Sequence, residues 1–395
     1  MTRHETDLLH VCFGGLGGHA GVIQPLTKEL TRRGVRSTIV LYAHEGELED
    51  QSSWSAVGDA ISVAKRGRID PLGLAKIARI VRAARPRVVV CHSQNPVIAA
   101  FLGQLLAGVA PRVVLVEHQP IDLRSREDQI KSLLDLPFIR GLVVLTDDYA
   151  ARYPLASVPL RVVRGMVIIP NGVDLELFAP GALDAGSSGA GDGRSLTTVG
   201  MASRLTATKD VATLVRATAL LAASLPAEKR VEVLVAGDGV ERAGLEALAA
   251  ELSVIPAVRF LGTLDEAGVA AFLQGLDVYV QSTLGETLST SILQAYATGL
   301  PIVASSVEGV KNLIHDGDDG LLVPARSPQA LADALGALVQ DPRRRAELGE
   351  RARHRAEEDF GVAVTADRYL ALFARVDPKG PWSQWLRPTQ DIEQG

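Results

Sequence analysis

Short apolar runs alternate with stretches whose apolar residues recur every three to four positions, and the alternation continues along almost the whole chain. In the first half the short runs are Leu8–Phe13, Ser37–Tyr42, Val88–Cys91, Val113–Val116, Leu142–Leu145 and Met166–Ile169, most of them separated by helical patterns such as Val22–Arg33 and Pro96–Ala107. The second half repeats the style with Leu196–Gly200, Val231–Ala236, Val258–Leu261, Val278–Gln281, Pro301–Ala304 and Leu321–Val323. Strands alternating with helices predict a parallel sheet with both faces covered, here twice. Between the two α/β units, residues 181–194 are mostly Gly, Ala, Ser and Asp with little to bury, and read as a flexible linker. After Pro378 the tail carries Trp382 and Trp385, too aromatic for a free end, and is expected to dock on the first unit.

Composition narrows the class. A chain of 395 residues, 47% hydrophobic, is long enough for two or three domains with buried cores. The net charge of -5 leaves no global footprint for nucleic acid. Cys12 and Cys91 close apolar runs and read as reduced core thiols, with no disulfide framework or metal spacing. Acid at Glu5 and Asp7 stands where a signal peptide is basic, and no apolar window reaches the ~18 residues of a spanning helix. The expected location is the cytoplasm, and the preference for arginine and alanine is that of many high-GC bacteria.

Ligands of open parallel sheets sit beyond the carboxyl ends of the strands, and the distinctive turns of this chain fall there. Phe13-Gly14-Gly15-Leu16-Gly17-Gly18 follows the first strand, so its backbone can approach a phosphate or sugar closely. It lacks the third glycine of the strict dinucleotide spacing. Arg204 and Lys209 share one loop after a strand and can both reach a diphosphate, the first as a fork and the second as a point charge. Ala236-Gly237-Asp238-Gly239 is a further strand-to-helix turn. The densest stretch runs from Ser282 to Glu286 and on to Ser289-Thr290-Ser291, which places a carboxylate beside the first backbone N–H groups of a helix. His118 and His92 each follow a strand-like run, where a neutral imidazole can bond a sugar hydroxyl or shuttle a proton. His19 and His92 are carried as acceptor-side candidates.

Each feature also has a plainer account. The glycine turns can be turns only, Arg204 and Lys209 solvated cations, and the histidines loop residues satisfied by backbone. Asp147-Asp148 reads as the charged start of a helix rather than a metal site. From Lys65 to Arg87, Lys76, Arg79, Arg82, Arg85 and Arg87 flank a stripe of Leu74, Ile77, Ala78 and Val81. That pattern fits a helix packed on the sheet with a solvated basic face, or a weak contact with anionic lipid.

Taken in order, the landmarks resemble those of the family-4 retaining glycosyltransferases across nearly the whole chain. They are the turn with Gly17-Gly18, NGVD from Asn171 to Asp174, the Arg204 and Lys209 pair, AGDG from Ala236, FLG from Phe260, and the block from Glu286 to Gly299-Leu300-Pro301. The resemblance implies a GT-B fold, two Rossmann-like α/β domains facing across a cleft. The acceptor domain would span 1–178, completed by a returning tail at about 362–395, with a linker at 179–195 and a donor domain at 196–361. It further implies that Arg204 and Lys209 bind the donor diphosphate, helped by Gly17, Gly18, Gly237 and the backbone of Ser289 and Thr290. Glu286 would hold the hydroxyls of the transferred sugar, His118 would point at the sugar near its reacting carbon, and Gly262 would border the base. Such enzymes take a nucleotide sugar as co-substrate, need no divalent metal, and work by a front-face mechanism on an acceptor hydroxyl. UDP-sugar is the expected donor.

Some positions depart from the family pattern. Gln294 stands where a second Glu usually binds ribose, Leu288 replaces an aromatic residue and Ser289 a glycine beside the donor. Glu308-Gly309 replaces paired glycines, and Asn312 an acid. Gln294 in particular leaves open a catalytically inactive sugar-nucleotide sensor or partner, and fold alone leaves open an epimerase.

Overall fold

Seven strands of consecutive β-rich sequence form the first sheet, all in parallel: β1 (Leu8–Cys12), β2 (Ser37–His44), β3 (Asp59–Lys65), β4 (Val88–Cys91), β5 (Val113–Val116), β6 (Gly141–Val144) and β7 (Met166–Ile168). Their order is β3-β2-β1-β4-β5-β6-β7. The computed structural model describes residues 6–13, 20–44, 54, 58–67, 70–118, 130, 134–152, 166–181 and 195–387. The chain divides into two compact units, Met1–Gly172 with Val362–Gly395, and Val173–Gly361. Residues 173–181 thus belong with the second unit.

In the first unit the central strands are buried along their whole length, because helices cover both faces and successive side chains alternate between them. Leu9 and Val11 of β1 pack with Ile77 and Val81 of α2 (Pro71–Ala84), Ala100 of α3 (Val97–Leu106) and, in the same core, Tyr149 of α4 (Asp147–Arg152). Leu8 packs on the opposite face with Leu26 and Leu30 of α1 (Ala20–Arg32), and with Phe373 and Trp382 of the carboxyl-terminal segment. Trp382 is fully buried there, its indole N–H donating to Asp377 at 3.2 Å. Cys12 and Cys91 are free and buried, and desolvation pushes the Cys91 thiol well above its usual range, with Asp135 adding to the shift.

Helix α2 begins where Asp70 accepts from the Gly73 backbone at 3.0 Å with Pro71 in the first turn. It stops at Arg85, which turns left-handed at φ 47° just before Pro86. Arg85 and Arg87 therefore lie beyond the helix, a correction to the single basic helix expected through Arg87; Arg87 faces Asp7 and Asp377 instead. Strand β3 was not anticipated: it is a half-exposed edge strand, so its apolar residues do not form a continuous run.

The second unit holds six parallel strands: β8 (Ser195–Ala202), β9 (Lys229–Ala236), β10 (Val258–Gly262), β11 (Val278–Gln281), β12 (Ile302–Ser305) and β13 (Leu321–Val323). The order is β10-β9-β8-β11-β12-β13. Its connecting and flanking helices include α5 (Val211–Ser224), α6 (Arg242–Glu251), α7 (Glu266–Gln274), α8 (Thr290–Ala297), α9 (Pro328–Gln340) and α10 (Pro342–Arg355). Val199, Val233, Val278 and Val303 of the strands meet Leu214, Leu245, Leu335 and Leu348 of the helices in one core. In each unit strand order reverses beside the first strand, at β1/β4 and at β8/β11, where a doubly wound sheet leaves its crevice.

Candidate active site

The carboxyl ends of β8 and β11 are tied together by side chains. The phenol of Tyr279 donates to Gln281 Oε1 at 2.9 Å and lies 3.3 Å from the carbonyl of Ala202, the last residue of β8. Burial pushes that phenol far above its ordinary value, so it remains a proton donor. Gln281 Oε1 also accepts from Ser291 Oγ at 3.0 Å, while its amide donates to Glu286 Oε1 at 3.1 Å. Lys209 Nζ completes the set, donating to the same carboxylate oxygen at 2.5 Å. The two loops are stitched by backbone as well: Leu284 N donates to Thr208 O at 2.8 Å, and Thr283 Oγ1 to the same carbonyl at 3.1 Å.

Lys209 and Glu286 are mostly enclosed, with 19% and 11% of their side chains exposed. Their charges cancel locally, and the ammonium, which has three donors, spends one on the carboxylate. Arg204 is exposed, and among the described residues no carboxylate pairs with it. It is held by its neighbours: Ser203 N donates to Ala236 O and Leu205 N to Asp238 O, each at 2.9 Å, and Leu205 is fully buried. Ser203 Oγ is buried with no hydrogen-bond partner among the described residues. The arrangement leaves Arg204 and the start of α8 to meet an anion.

Two glycines are required by this geometry. Gly237 has φ +126°, and a Cβ there would lie 1.9 Å from Ser203 O. Gly309 has φ +76°, and its Cβ would lie 2.1 Å from Glu286 O. The second contact matters because Glu286 N donates to Glu308 O at 3.2 Å, so the loop after β12 clamps the backbone of the carboxylate. Lys311 in turn pairs with Glu308.

The structure brings Lys209, Glu286, Ser289 and Thr290 into one region with Arg204 on the same loop as Lys209. Ser289 is the N-cap position of α8 and Thr290 its first residue; Ser289 Oγ lies 3.0 Å from Ser291 Oγ. Leu288 is buried and Gln294 is half-buried on the second turn of α8. Gly237 N donates to Gly262 O at 2.7 Å, so these two turns meet beside β9 and β10. Gly17, Gly18 and His19 lie outside the described residues. In the first unit His92 is buried and His118 half-buried, with His92 Nδ1 3.0 Å from His118 Nε2. Tyr279 and Gln281 were not picked out from sequence, and Ser291 was singled out only for its backbone at the helix start. The one available sign was a polar residue inside a strand otherwise made for burial.

Comparison with solved structures supplies the class. Anabaena Alr3699/HepE, in complex with UDP and glucose, superposes with a TM-score of 0.75 at 17% identity over 93% of this chain and 99% of that one. Sucrose-phosphate synthase from Thermosynechococcus elongatus gives 0.75 at 20% identity over 95% and 100%. The fold is thus GT-B, built of two Rossmann-like α/β domains. Residues 16–177 match the family described as glycosyltransferase family 4, and residues 196–341 match glycosyl transferases group 1. The chain belongs to the family-4 glycosyltransferases. A D-inositol 3-phosphate glycosyltransferase of Corynebacterium urealyticum is 34% identical over 53% of this chain and 50% of its own length. Another, of Corynebacterium jeikeium, is 30% identical over 67% and 62%. The chain spans about half the length of the first curated relatives it matches.

Proposed function

We propose that this protein is a retaining glycosyltransferase that moves a sugar from a nucleoside diphosphate sugar to an acceptor hydroxyl, with no divalent metal. The observation that carries the reading is the Lys209–Glu286–Gln281–Ser291 network at the ends of β8 and β11, next to the start of α8 and to Arg204, with which no carboxylate among the described residues pairs. In the reaction the bond between the sugar's anomeric carbon and the diphosphate oxygen breaks, and the acceptor oxygen bonds to the same face of that carbon. The departing phosphate oxygen takes the acceptor proton. Arg204, the two remaining N–H groups of Lys209 and the N–H groups at Ser289 and Thr290 stabilise the charge left on the diphosphate. Glu286, fixed by Lys209 and Gln281, accepts from the sugar hydroxyls and orients the ring. His118 is assigned to the sugar near its reacting carbon.

A uridine donor is supported by the fold relatives named in complex with UDP and UDP-glucose. The names of the curated relatives put an inositol phosphate first among acceptors to try. The partners are thus a nucleotide sugar and a hydroxyl acceptor, with no nucleic acid. A peripheral contact with an anionic membrane also belongs to the reading. Exposed Lys76, Arg79 and Arg82 of α2 lie beside α3, whose Ile98, Leu102, Leu105 and Leu106 are exposed and which carries no charge. No described helix is long and apolar enough to cross a membrane.

Release of UDP from UDP-sugars, measured with and without a panel of acceptors including inositol phosphate, tests the function. Acceptor-dependent release that is lost in Glu286→Ala supports it. A folded protein that binds nucleotide yet turns over no donor refutes it. Sedimentation with phosphatidylserine vesicles, wild type against Arg79→Glu with Leu102→Ser, tests the membrane contact, which equal sedimentation would rule out.

A further inference from the structure

Three histidines cross the first sheet in a diagonal row. His10 lies in the middle of β1, fully buried, with its Nδ1 3.0 Å from Nε2 of His92. His92 follows β4, and its Nδ1 is 3.0 Å from Nε2 of His118, which follows β5. The rings stack in sequence, with centroids 5.3 Å apart in both pairs and interplanar angles of 22° and 24°. Register explains the row. His10 pairs with Val90 and Cys91 with Leu115, so each step crosses one strand and climbs two residues toward the carboxyl edge. Side-chain parity keeps all three on the same face.

We propose that His10 and His92 are positioning residues that lock His118 into a single tautomer, with its proton on Nδ1 and its Nε2 accepting from His92. Each contact needs one N–H and one bare nitrogen, so the three neutral rings take their protons in one common direction. His10 sets which direction, because its Nε2 is buried with no hydrogen-bond partner among the described residues. A proton there would be an orphaned donor in an apolar site, whereas buried donors are almost always satisfied and acceptors are left unsatisfied more often. The proton therefore resides on His10 Nδ1 and is donated to His92 Nε2; His92 Nδ1–H is donated to His118 Nε2. Burial lowers the His10 pKa to about 4, which keeps the inner end of the row neutral at physiological pH. The row thus fixes the His118 proton on Nδ1, with the His118 ring held by His92 and His92 in turn by His10. The catalytic consequence rests on the glycosyltransferase reading; the tautomer does not.

The test combines histidine-selective ¹⁵N spectra of the full-length protein with kinetics. In wild type, long-range ¹⁵N–¹H correlations should show all three residues protonated at Nδ1, with His118 assigned from His118→Gln. Protonation of His118 at Nε2 overturns the proposal without any need for a variant in the core. His10→Leu should leave His118 in mixed tautomers and lower kcat at least ~10-fold with the donor KM unchanged, the loss expected when a contact that orients the reacting sugar is no longer held in place. His10→Asn, whose amide can donate near the position of Nδ1, should restore both. An unaltered His118 spectrum in folded His10→Leu overturns the relay. An altered spectrum with unchanged kcat overturns the positioning role. If wild type transfers no sugar, the function proposed above fails, while the spectra still decide the row.

Discussion

Acid should weaken the first unit through one residue. His10 has its pKa lowered from 6.5 to about 4 by burial, so the unfolded chain takes up a proton that the folded chain refuses. The contribution of neutral His10 is complete above pH 6.5, is lost as pH falls from 6.5 towards 4, and changes no further below that. The whole difference is about 3 kcal/mol, and the part lost between pH 7 and pH 5 is about 2 kcal/mol. All three tryptophans, Trp54, Trp382 and Trp385, belong to the first unit, so their fluorescence follows its unfolding in urea without contribution from the second. Other groups titrate in the same range, and a comparison removes them. In His10→Leu the stability difference between pH 7 and pH 5 should be smaller than in wild type by about 2 kcal/mol, even if the variant is less stable at pH 7. Equal differences in the two proteins would refute the assignment of a depressed pKa to a buried, neutral His10.

Arg204→Ala should weaken UDP binding ~10- to 100-fold in calorimetry, the worth of one charge-assisted bond, and leave the melting temperature within a degree or two because the side chain is exposed. Glu286→Ala should lower kcat at least ~100-fold while UDP still binds, since the carboxylate is assigned to the sugar rather than the nucleotide. Gly237→Ala should destabilise the second unit by more than the ~1–2 kcal/mol of a left-handed alanine, read by circular-dichroism melting, because its Cβ overlaps the Ser203 carbonyl. Gly309→Ala should reduce turnover more than it reduces UDP affinity, as its Cβ overlaps the Glu286 carbonyl. Excess EDTA should leave transfer unchanged, and restoration by added Mg²⁺ of activity lost to the chelator would refute metal-independent catalysis.

Much of the fold was legible because a parallel sheet covered on both faces demands continuous apolar strands, and β1, β4, β5, β11 and β12 are buried at every position. Strand β3 escaped because it is a half-exposed edge, where Asp59 and Ser62 interrupt the apolar run. Arg85 and Arg87 were extrapolated along a helical periodicity that continues past the left-handed turn that ends α2. In the site, Arg204, Lys209 and Glu286 stood out because charged residues after apolar strands are conspicuous. Gln281, Tyr279 and His10 did not, since a single polar residue within an apolar run looks like tolerated variation. What gives them meaning is the partner across the sheet, which sequence separation hides: Tyr279 bonds to Ala202, and His10 to His92, 82 residues away.

Those residues share a topological address. His10 lies next to the point where strand order reverses in the first unit, at β1/β4, and Tyr279 and Gln281 lie next to it in the second, at β8/β11. At such a point the connecting helices depart to opposite faces, so the strand ends are left uncovered and a polar group can reach a ligand. A polar group buried further down the same strand still costs desolvation, and it persists only when bonded to groups nearer the edge. Among the described residues His10 makes no contact toward the amino end of its sheet that would satisfy its Nε2, and its bonded row runs toward the carboxyl edge. Tyr279 likewise leads through Gln281 to Glu286. Both rows are therefore better understood as supports for the side chains at their outer ends, His118 and Glu286, than as elements of the cores that enclose them.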